Sequence, residues 1–469
     1  MTGEVREAVV IGAGLSGLVC AHRLKSLGVD VMLLESSDRV GGVIQSERVD
    51  GFLIERGPNS SQGSEELLAL VDELQITGEL IEGDPKAPAY IYFNRKLHAV
   101  PAGPGPFIKS SLLSASGKLR IFGDLFVRAR RSDEEESVAS FARRRIGPQA
   151  AERMIAPFVS GVYAGDSERL SVQAAFPRLA DLEKSYGGLF RGAIAKARAA
   201  RREKKAASGV AGKASPTRKR LITFKKGMGF LPQTLASRLG EDLKTGCGNL
   251  TISQASGAKG ISRFLVSYDR AGRTEQVASS RAIIAVPARA ASRLLTPISD
   301  ELGRLLEQIE YPPLSIVYLA YDESKIKTRL DGFGFLAAPS EGMNVLGCVW
   351  NTALFENRAP KGKALLTTFI GGARRPETAR LTDAELARTA HSELQQVLGI
   401  ESDPQVVAIT RWDRAIPQYN LGHAHRVRRI ETLAGQIGGL ALIGNYLRGV
   451  STGDCIKEAD RAARELGLR

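Results

Sequence analysis

Glycines at positions 12, 14 and 17 and a carboxylate at position 35 are the residues of this chain whose types and spacing carry chemistry most openly. The stretch Ala8-Val9-Val10-Ile11-Gly12-Ala13-Gly14-Leu15-Ser16-Gly17 predicts a buried parallel strand, a tight turn and the start of a helix. In such a turn Gly12 permits the reversal, Gly14 lets the backbone approach a pyrophosphate, and Gly17 lets helix and strand pack closely. The helix, from about Leu15 to Leu27, aims its first N–H groups at the phosphates. Val31 to Leu34 predicts the second strand. Glu35 lies 23 residues after Gly12, near the spacing of about 20 at which a carboxylate meets ribose hydroxyls. The chemistry implied is dinucleotide binding.

Two further glycine-rich stretches extend this cradle. In Glu35-Ser36-Ser37-Asp38-Arg39-Val40-Gly41-Gly42 the paired glycines let backbone lie against a bulky cofactor, and Arg39 can meet a phosphate or close the loop. Gly444-Asn445-Tyr446-Leu447-Arg448-Gly449-Val450-Ser451-Thr452-Gly453 follows a predicted strand and opens the last helix, a second helix N-terminus with permissive glycines.

Composition narrows the function class. With 469 residues, 43% hydrophobic and 25% charged, the chain is an ordinary globular protein with room for two or three domains. No run of 18 apolar residues predicts a transmembrane helix, and no apolar signal core precedes the first strand, so export is not expected. Cys20, Cys247, Cys348 and Cys455 are scattered without metal spacing and suit a reducing cytosol. His22, His98, His391, His423 and His425 form no helical metal pair, and no metal is expected. The net charge of +14 is concentrated: residues 191–226 hold thirteen Lys and Arg against Glu203 alone, or +12. That segment reads either as a solvated helix end with a flexible loop over 206–216 or as a contact with anionic lipid. Nucleic acid is not expected, because no aromatics interleave the charges.

Along the chain, strand and helix patterns alternate, then give way to mostly helical spacing over residues 107–200, then return near Lys226. Predicted helices span 65–74, 114–130, 137–146, 149–159, 180–201, 383–398 and 454–466, and one opening at Gly227 runs to Leu239. A hairpin turns near Asn94, and Pro101 to Pro106 reads as a break. Strands near 250, 263 and 276 suggest a meander. Arg281 to Val286, Leu314 to Tyr321, Val345 to Trp350, Ala364 to Ile370 and Leu440 onward are further strands.

The Glu35-to-Gly42 stretch resembles the Glu-x-x-x-Arg-x-Gly-Gly extension of the monoamine oxidase, phytoene desaturase and protoporphyrinogen oxidase superfamily, which makes FAD the expected cofactor. Four stretches resemble the oxygen-dependent, HemY-type protoporphyrinogen oxidases more specifically: Gly57-Pro58-Asn59-Ser60; Gly161-Val-Tyr-Ala-Gly165-Asp166 with Leu170-Ser171 and Phe176-Pro177; Trp412 with Ile416-Pro417-Gln418-Tyr419 and Gly422-His423; and Gly444 to Ile456. The resemblance implies an α/β fold class: a Rossmann-like FAD-binding domain (1–90, 226–300 and 425–469) interleaved with an α+β substrate-binding domain (301–424) and a helical membrane-binding insertion (91–225).

It also implies site residues. Gly12, Ala13, Gly14, Leu15, Ser16, Gly17, Glu35, Ser36, Arg39, Gly41 and Gly42 would bind FAD. So would Gly57, Pro58, Asn59 and Ser60, which run along the flavin, and Asn445, Tyr446, Gly449, Val450, Ser451 and Thr452, where N–H groups can face the flavin pyrimidine oxygens or the ribityl phosphate. Asn59 and Gly165 would face a tetrapyrrole, and Leu336 and Phe355 would sandwich its rings. The implied activity is the six-electron oxidation of protoporphyrinogen IX to protoporphyrin IX by O2, with release of H2O2, in haem biosynthesis. No acid or base side chain is required.

There is one departure from the family. Many members carry Arg before the Tyr-x-Tyr strand, where it pairs a substrate propionate; here Ala87-Pro88-Ala89 stands there, and Arg95 in the next turn is the substitute considered. Coproporphyrinogen III is therefore the alternative expected substrate. An amine oxidase, with Tyr419 and Tyr446 as cage members, a carotenoid desaturase and a flavin-fold scaffold without turnover are the competing classes. The expected location is the cytoplasm, with peripheral contact on the inner face of the cell membrane, and a homodimer is carried as an assembly state.

Overall fold

The structure, a computed structural model, describes residues 4–132, 134–207, 221–256 and 262–467. The chain divides into two compact units: Met1–Gly83, Lys219–Glu310 and His425–Arg469 form one, Asp84–Arg218 and Tyr311–Ala424 the other.

The first unit is built on a seven-stranded sheet. Ala8, Val9, Val10 and Ile11 are fully buried, as are Met32, Leu33 and Leu34, the signature of parallel strands covered on both faces. Glu4–Ile11 pairs in parallel with Val31–Leu34 on one side and with Arg273–Ile284 on the other. Leu243–Lys244 extends the first edge. The 12-residue strand Arg273–Ile284 serves two partners along its far side. Its first part continues an antiparallel meander with Ser262–Arg270 and Gly248–Ser256, and its last three residues pair in parallel with Leu440–Leu442. The sequence pattern reads two strands there, near 276 and from 281; the backbone runs through as one because Glu4–Ile11 pairs with it from Val277 to Ile284, across the polar Ser279 and Ser280 where the partner on the other side changes. Helices Leu15–Ser26, Glu65–Glu73, Phe230–Leu239 and Thr452–Gly467 contribute to the core packed on this sheet.

The second unit carries a seven-stranded, mainly antiparallel sheet in the order Gln405–Trp412, Leu314–Asp322, Lys363–Gly371, Val345–Trp350, Gly334–Ala337, Ala89–Phe93, Lys96–Ala99. Gly334–Ala337 and Ala89–Phe93 run parallel, so the hairpin at Asn94 completes this sheet. Asp383–Leu398 covers it, started by a Thr382–Glu385 capping box and stopped by left-handed Gly399.

The remainder of this unit is helical, and here the observed boundaries differ from those the sequence pattern predicts. Pro104–Lys109 is a helix where a proline break is read, because Pro104 sits in the first turn, where a missing N–H costs nothing. The helix predicted over 114–130 ends as Ala115–Phe122 plus one 3-10 turn. The span 149–159 runs on through a π-turn to Tyr163. The span predicted as 180–201 is two helices, Pro177–Tyr186 and Leu189–Ala207, because Gly187 adopts φ +79° and stops the first. Arg145, fully buried, ties this region together through Asp124 at 3.1 Å and Glu183 at 2.5 Å. Arg144 joins Glu183 and Glu136 at 2.8 and 2.6 Å. No helix of the described residues is long and apolar enough to cross a membrane.

Candidate active site

In the first unit the three cradle glycines do three different things. Gly12 has φ +105°, and an added Cβ would lie 2.7 Å from Val286 and 2.8 Å from the Ala285 carbonyl, so only glycine turns there. A Cβ on Gly17 would run into the Gly12 carbonyl, which fixes how closely the Leu15–Ser26 helix meets the strand. Gly14 is the opposite case: its Cβ would meet nothing within 4 Å. The opening lies at the helix N-terminus, where no side chain caps the backbone and the first turn has no acidic residue. Ala13, Leu15 and Ser16 are buried around it. An uncapped, accessible helix start of this kind is an anion site.

Other loops converge on the same turn. Gly41 N–H donates to the Ala13 carbonyl at 2.8 Å, and the Gly42 Cβ position is 3.4 Å from Gly14. Arg39 donates to the Gly42 carbonyl at 3.0 Å, closing its own loop. Gly57 packs against the Val43 carbonyl with no room for a side chain, and half-buried Pro58, Asn59 and Ser60 continue from it. Glu35 accepts from Ala13 N–H at 2.7 Å through one oxygen. Through the other it accepts from Ser37 N–H, the Ser37 hydroxyl and the Ser36 hydroxyl at 2.9, 2.8 and 3.2 Å. The expected ribose ligand is thus oriented by its own strand end and tied to the turn.

The C-terminal glycine stretch reaches this place from the other side. A hydrogen bond joins Ser16 to the Cys455 thiol, whose pKa burial pushes up to about 11. A Cβ on Gly453 would strike Ser64, the N-cap of Glu65–Glu73. The helix start itself is already satisfied. Asp454 N–H donates to the Ser451 hydroxyl at 3.1 Å, and that hydroxyl donates back to the Asp454 carboxylate at 2.5 Å. Gly449, φ +74°, is glycine because a Cβ would collide with Asp454. Val450 and Thr452 are half-buried, and Tyr446 is fully buried behind the half-buried Asn445.

Of the residues expected to meet substrate, Asn59 lies in the first unit, and Gly165, Leu336, Phe355 and Arg95 lie in the second. Gly165 is buried just beyond the Ala156–Tyr163 helix; its Cβ position is 2.7 Å from Gln418 Oε1, 3.0 Å from Leu170 and 3.2 Å from Tyr163. Leu336, half-buried on its strand, fills the space at Gly161 of the same helix. Phe355 is buried, with the Arg358 guanidinium 5.3 Å from its ring centroid. Arg95 is exposed in the hairpin turn, where its N–H donates to Glu341 at 3.2 Å. It stands at the opposite end of the Ala89–Phe93 strand from Ala87–Ala89. Tyr419 is fully buried, stacked on His423 at 4.2 Å with the Tyr163 ring at its edge, so it is not an open cage wall. Among the described residues no group of His, Cys, Asp and Glu could hold a metal.

An open, uncapped helix start ringed by glycine loops fits a dinucleotide, and comparison with known proteins gives its class. The sequence matches the family of flavin containing amine oxidoreductases over residues 15–467. The chain belongs to that family and is an FAD-dependent oxidoreductase. Within it, the chain is 34% identical to the chloroplastic protoporphyrinogen oxidase of Nicotiana tabacum, an alignment covering 98% of this chain and 85% of the relative. It is 27% identical to the coproporphyrinogen III oxidase of Bacillus subtilis over 99% of this chain and 98% of that one. A crystal structure from Exiguobacterium sp. 255-15, provisionally named a protoporphyrinogen oxidase, shares the fold at a TM-score of 0.81 and 24% identity, covering 100% of this chain and 99% of that one.

Proposed function

We propose that the chain oxidises protoporphyrinogen IX to protoporphyrin IX, with three O2 consumed and three H2O2 released, as a step in haem biosynthesis. The observation that carries this reading is the 34% identity to a protoporphyrinogen oxidase along 98% of the chain. Bound FAD supplies a two-electron acceptor that molecular oxygen regenerates. The chain's residues bind and orient. The N–H groups of the Leu15–Ser26 helix start take the pyrophosphate, with Gly14 leaving the approach clear and Gly41–Gly42 covering it. Glu35 takes the ribose, and Ser36 and Arg39 hold its loop. Gly57–Ser60 and Asn445–Thr452 border the ring end. Asn59, Gly165, Leu336 and Phe355 position the macrocycle, and no side chain acts as acid or base.

Coproporphyrinogen III is the second reading. It is favoured by Ala89, exposed before the Tyr90 strand where the family resemblance leads one to expect an Arg that pairs a propionate, and by the likeness to the Bacillus enzyme. Flavin-replete protein mixed in air with either porphyrinogen tests both, read as porphyrin fluorescence and peroxide. Faster turnover of protoporphyrinogen IX supports the first reading, and faster turnover of coproporphyrinogen III replaces it with the second. No acceleration of either rejects both.

We further infer that the enzyme works in the cytoplasm in peripheral contact with the inner face of the cell membrane. The helical part of the second unit exposes Phe126 (88%), Leu119 (73%), Ile108 (69%) and Phe122 (47%). Phe122 stacks on Phe190 at 5.6 Å and meets Phe107 edge-on, so rings cluster there. Exposed Lys109, Arg128, Arg131 and Arg191 lie on the same segments, and each basic group near anionic lipid adds about 1 kcal/mol. Of the basic segment 191–226, residues 208–220 lie outside the described residues. Flotation with phosphatidylglycerol vesicles, lost on Phe126→Ser with Leu119→Ser, checks it; wild-type protein that stays in the dense bottom layer while the vesicles rise contradicts it. A homodimer is the assembly we propose, to be read by light scattering.

A further inference from the structure

We propose that Gln418 is the positioning residue that holds the Tyr163–Gly165 turn against substrate, and that Gln418 is why position 165 is glycine. The proposal rests on the porphyrinogen reading above for what the turn faces, and on geometry for the rest.

The helix Ala156–Tyr163 ends in Ala164, a residue with a side chain held left-handed at φ 48°, ψ 34°. That conformation is unfavourable for any residue carrying a Cβ and persists only where neighbours enforce it. Two neighbours do so. The Ala373 N–H donates to the Ala164 carbonyl at 2.7 Å, and Gly372, φ +80°, has no room for a Cβ beside that same carbonyl. Gln418, only 2% exposed, donates from Nε2 to the Tyr163 carbonyl at 2.8 Å and to the Ile416 carbonyl at 3.0 Å. The first is the carbonyl of the last residue of the helix, one of the terminal carbonyls that receive no bond from within a helix. These two donated bonds fix which end of the amide is which, because carbonyls accept only from the NH2 group. Oε1 therefore points the other way, and it lies 2.7 Å from where a Gly165 side chain would begin. Buried Oε1 has no hydrogen-bond partner. Nothing recruits it except its place in the turn. A side chain at 165 would push Gln418 off the Tyr163 carbonyl and release Ala164. Residue 165 is thus kept bare by a side chain 253 positions away, not by contact with a ligand.

A double-mutant cycle on the FAD-loaded enzyme tests this, with Gly165→Ala, Gln418→Ala, the double variant and Gln418→Leu. Flavin content and the rate at which dithionite-reduced flavin is reoxidised by O2 are measured first and are expected to match wild type. The kcat/KM for porphyrinogen, per bound flavin, is expected to fall about 10- to 100-fold in Gln418→Leu, the range for a displaced positioning group. A merely structural role would lower the yield of folded enzyme and leave kcat and KM per flavin unchanged. Gly165→Ala is expected to cost as much, and the double variant little more than Gln418→Ala alone, since the shortened side chain removes the 2.7 Å clash and leaves only the contacts at 3.0 and 3.2 Å with Leu170 and Tyr163 to relax by a few tenths of an ångström. Effects of the two single variants that multiply, or loss of flavin in Gln418→Leu, overturn the proposal. Wild-type enzyme inactive on both porphyrinogens overturns the function itself. In that case the thermal midpoints of the same four proteins still report whether residues 165 and 418 are coupled.

Discussion

Two helices of the first unit begin at glycine-rich turns, and they begin differently. Leu15–Ser26 starts with no side-chain cap, no acid in its first turn and open space at Gly14. Thr452–Gly467 starts with Ser451 and Asp454 bonded to each other, a carboxylate already seated where an anion would sit. From sequence both read as places to offer N–H groups to a cofactor. Only the first retains that capacity in full. The second carries its own negative group and packs against Ser16 and Ser64, so in the function proposed above its part toward a flavin falls to the backbone before the helix, around Asn445 and Gly449. Glycine count alone does not distinguish a ligand site from a tight turn; what a Cβ would strike does.

The largest expected effect separates glycines within the open turn. Gly17→Ala drives a methyl into the Gly12 carbonyl and should cost more than about 4 kcal/mol, giving little folded protein in a denaturant titration. Gly14→Asp should do the reverse. Its Cβ meets nothing and its φ of −68° suits any residue, so the protein folds. Its carboxylate caps the helix and repels the pyrophosphate, so FAD affinity should drop roughly 1000-fold, about 4 kcal/mol. A folded, colourless Gly14→Asp protein would make the two helix starts alike.

An acid titration supplies a control in the second unit. Burial pushes the Glu183 carboxyl up, but hydrogen bonds from Arg144, the Arg130 N–H and Arg145 outweigh it and hold the pKa at about 2. A carboxylate held below its ordinary value of 4.5 stabilises the fold above that value and loses the contribution as pH falls toward 2. Glu183 should therefore supply about 3 kcal/mol at neutral pH. The wild-type thermal midpoint should fall steeply between pH 4.5 and 2, and Glu183→Gln should flatten that fall. The smallest effect belongs to the capped end. Asp454→Ala removes one cap, should cost about 1 kcal/mol, and should leave the flavin spectrum unchanged. Loss of FAD in Asp454→Ala would mean the carboxylate serves the cofactor and not the helix.

Much of this was legible in the sequence where the signal is local. Val9 to Ile11 with Gly12, Gly14 and Gly17 needs only adjacent residues to read, and the helix Asp383–Leu398 follows from periodicity with Thr382 and Gly399 at its ends. Elements that depend on distant partners were not legible. The small sheet of Ser61–Gln62, Leu221–Phe224 and Leu80–Glu82 joins three short segments with no periodicity of their own. Gly187 reads as one more residue in a helical run until its backbone is seen turned left-handed. The pairing of Gln418 with Gly165 could not be inferred from either motif, although both had been singled out. The self-capping of Ser451 by Asp454 is legible as a Ser-x-x-Asp box set among glycines.

Turnover by two proteins tests the central claim, that FAD held at the open helix start oxidises a porphyrinogen. Wild type and Gly14→Asp are each mixed with protoporphyrinogen IX in air, and porphyrin fluorescence is followed against the spontaneous rate. The account predicts rapid oxidation by yellow wild-type protein and the spontaneous rate with folded Gly14→Asp. Flavin-replete wild type no faster than buffer would contradict it.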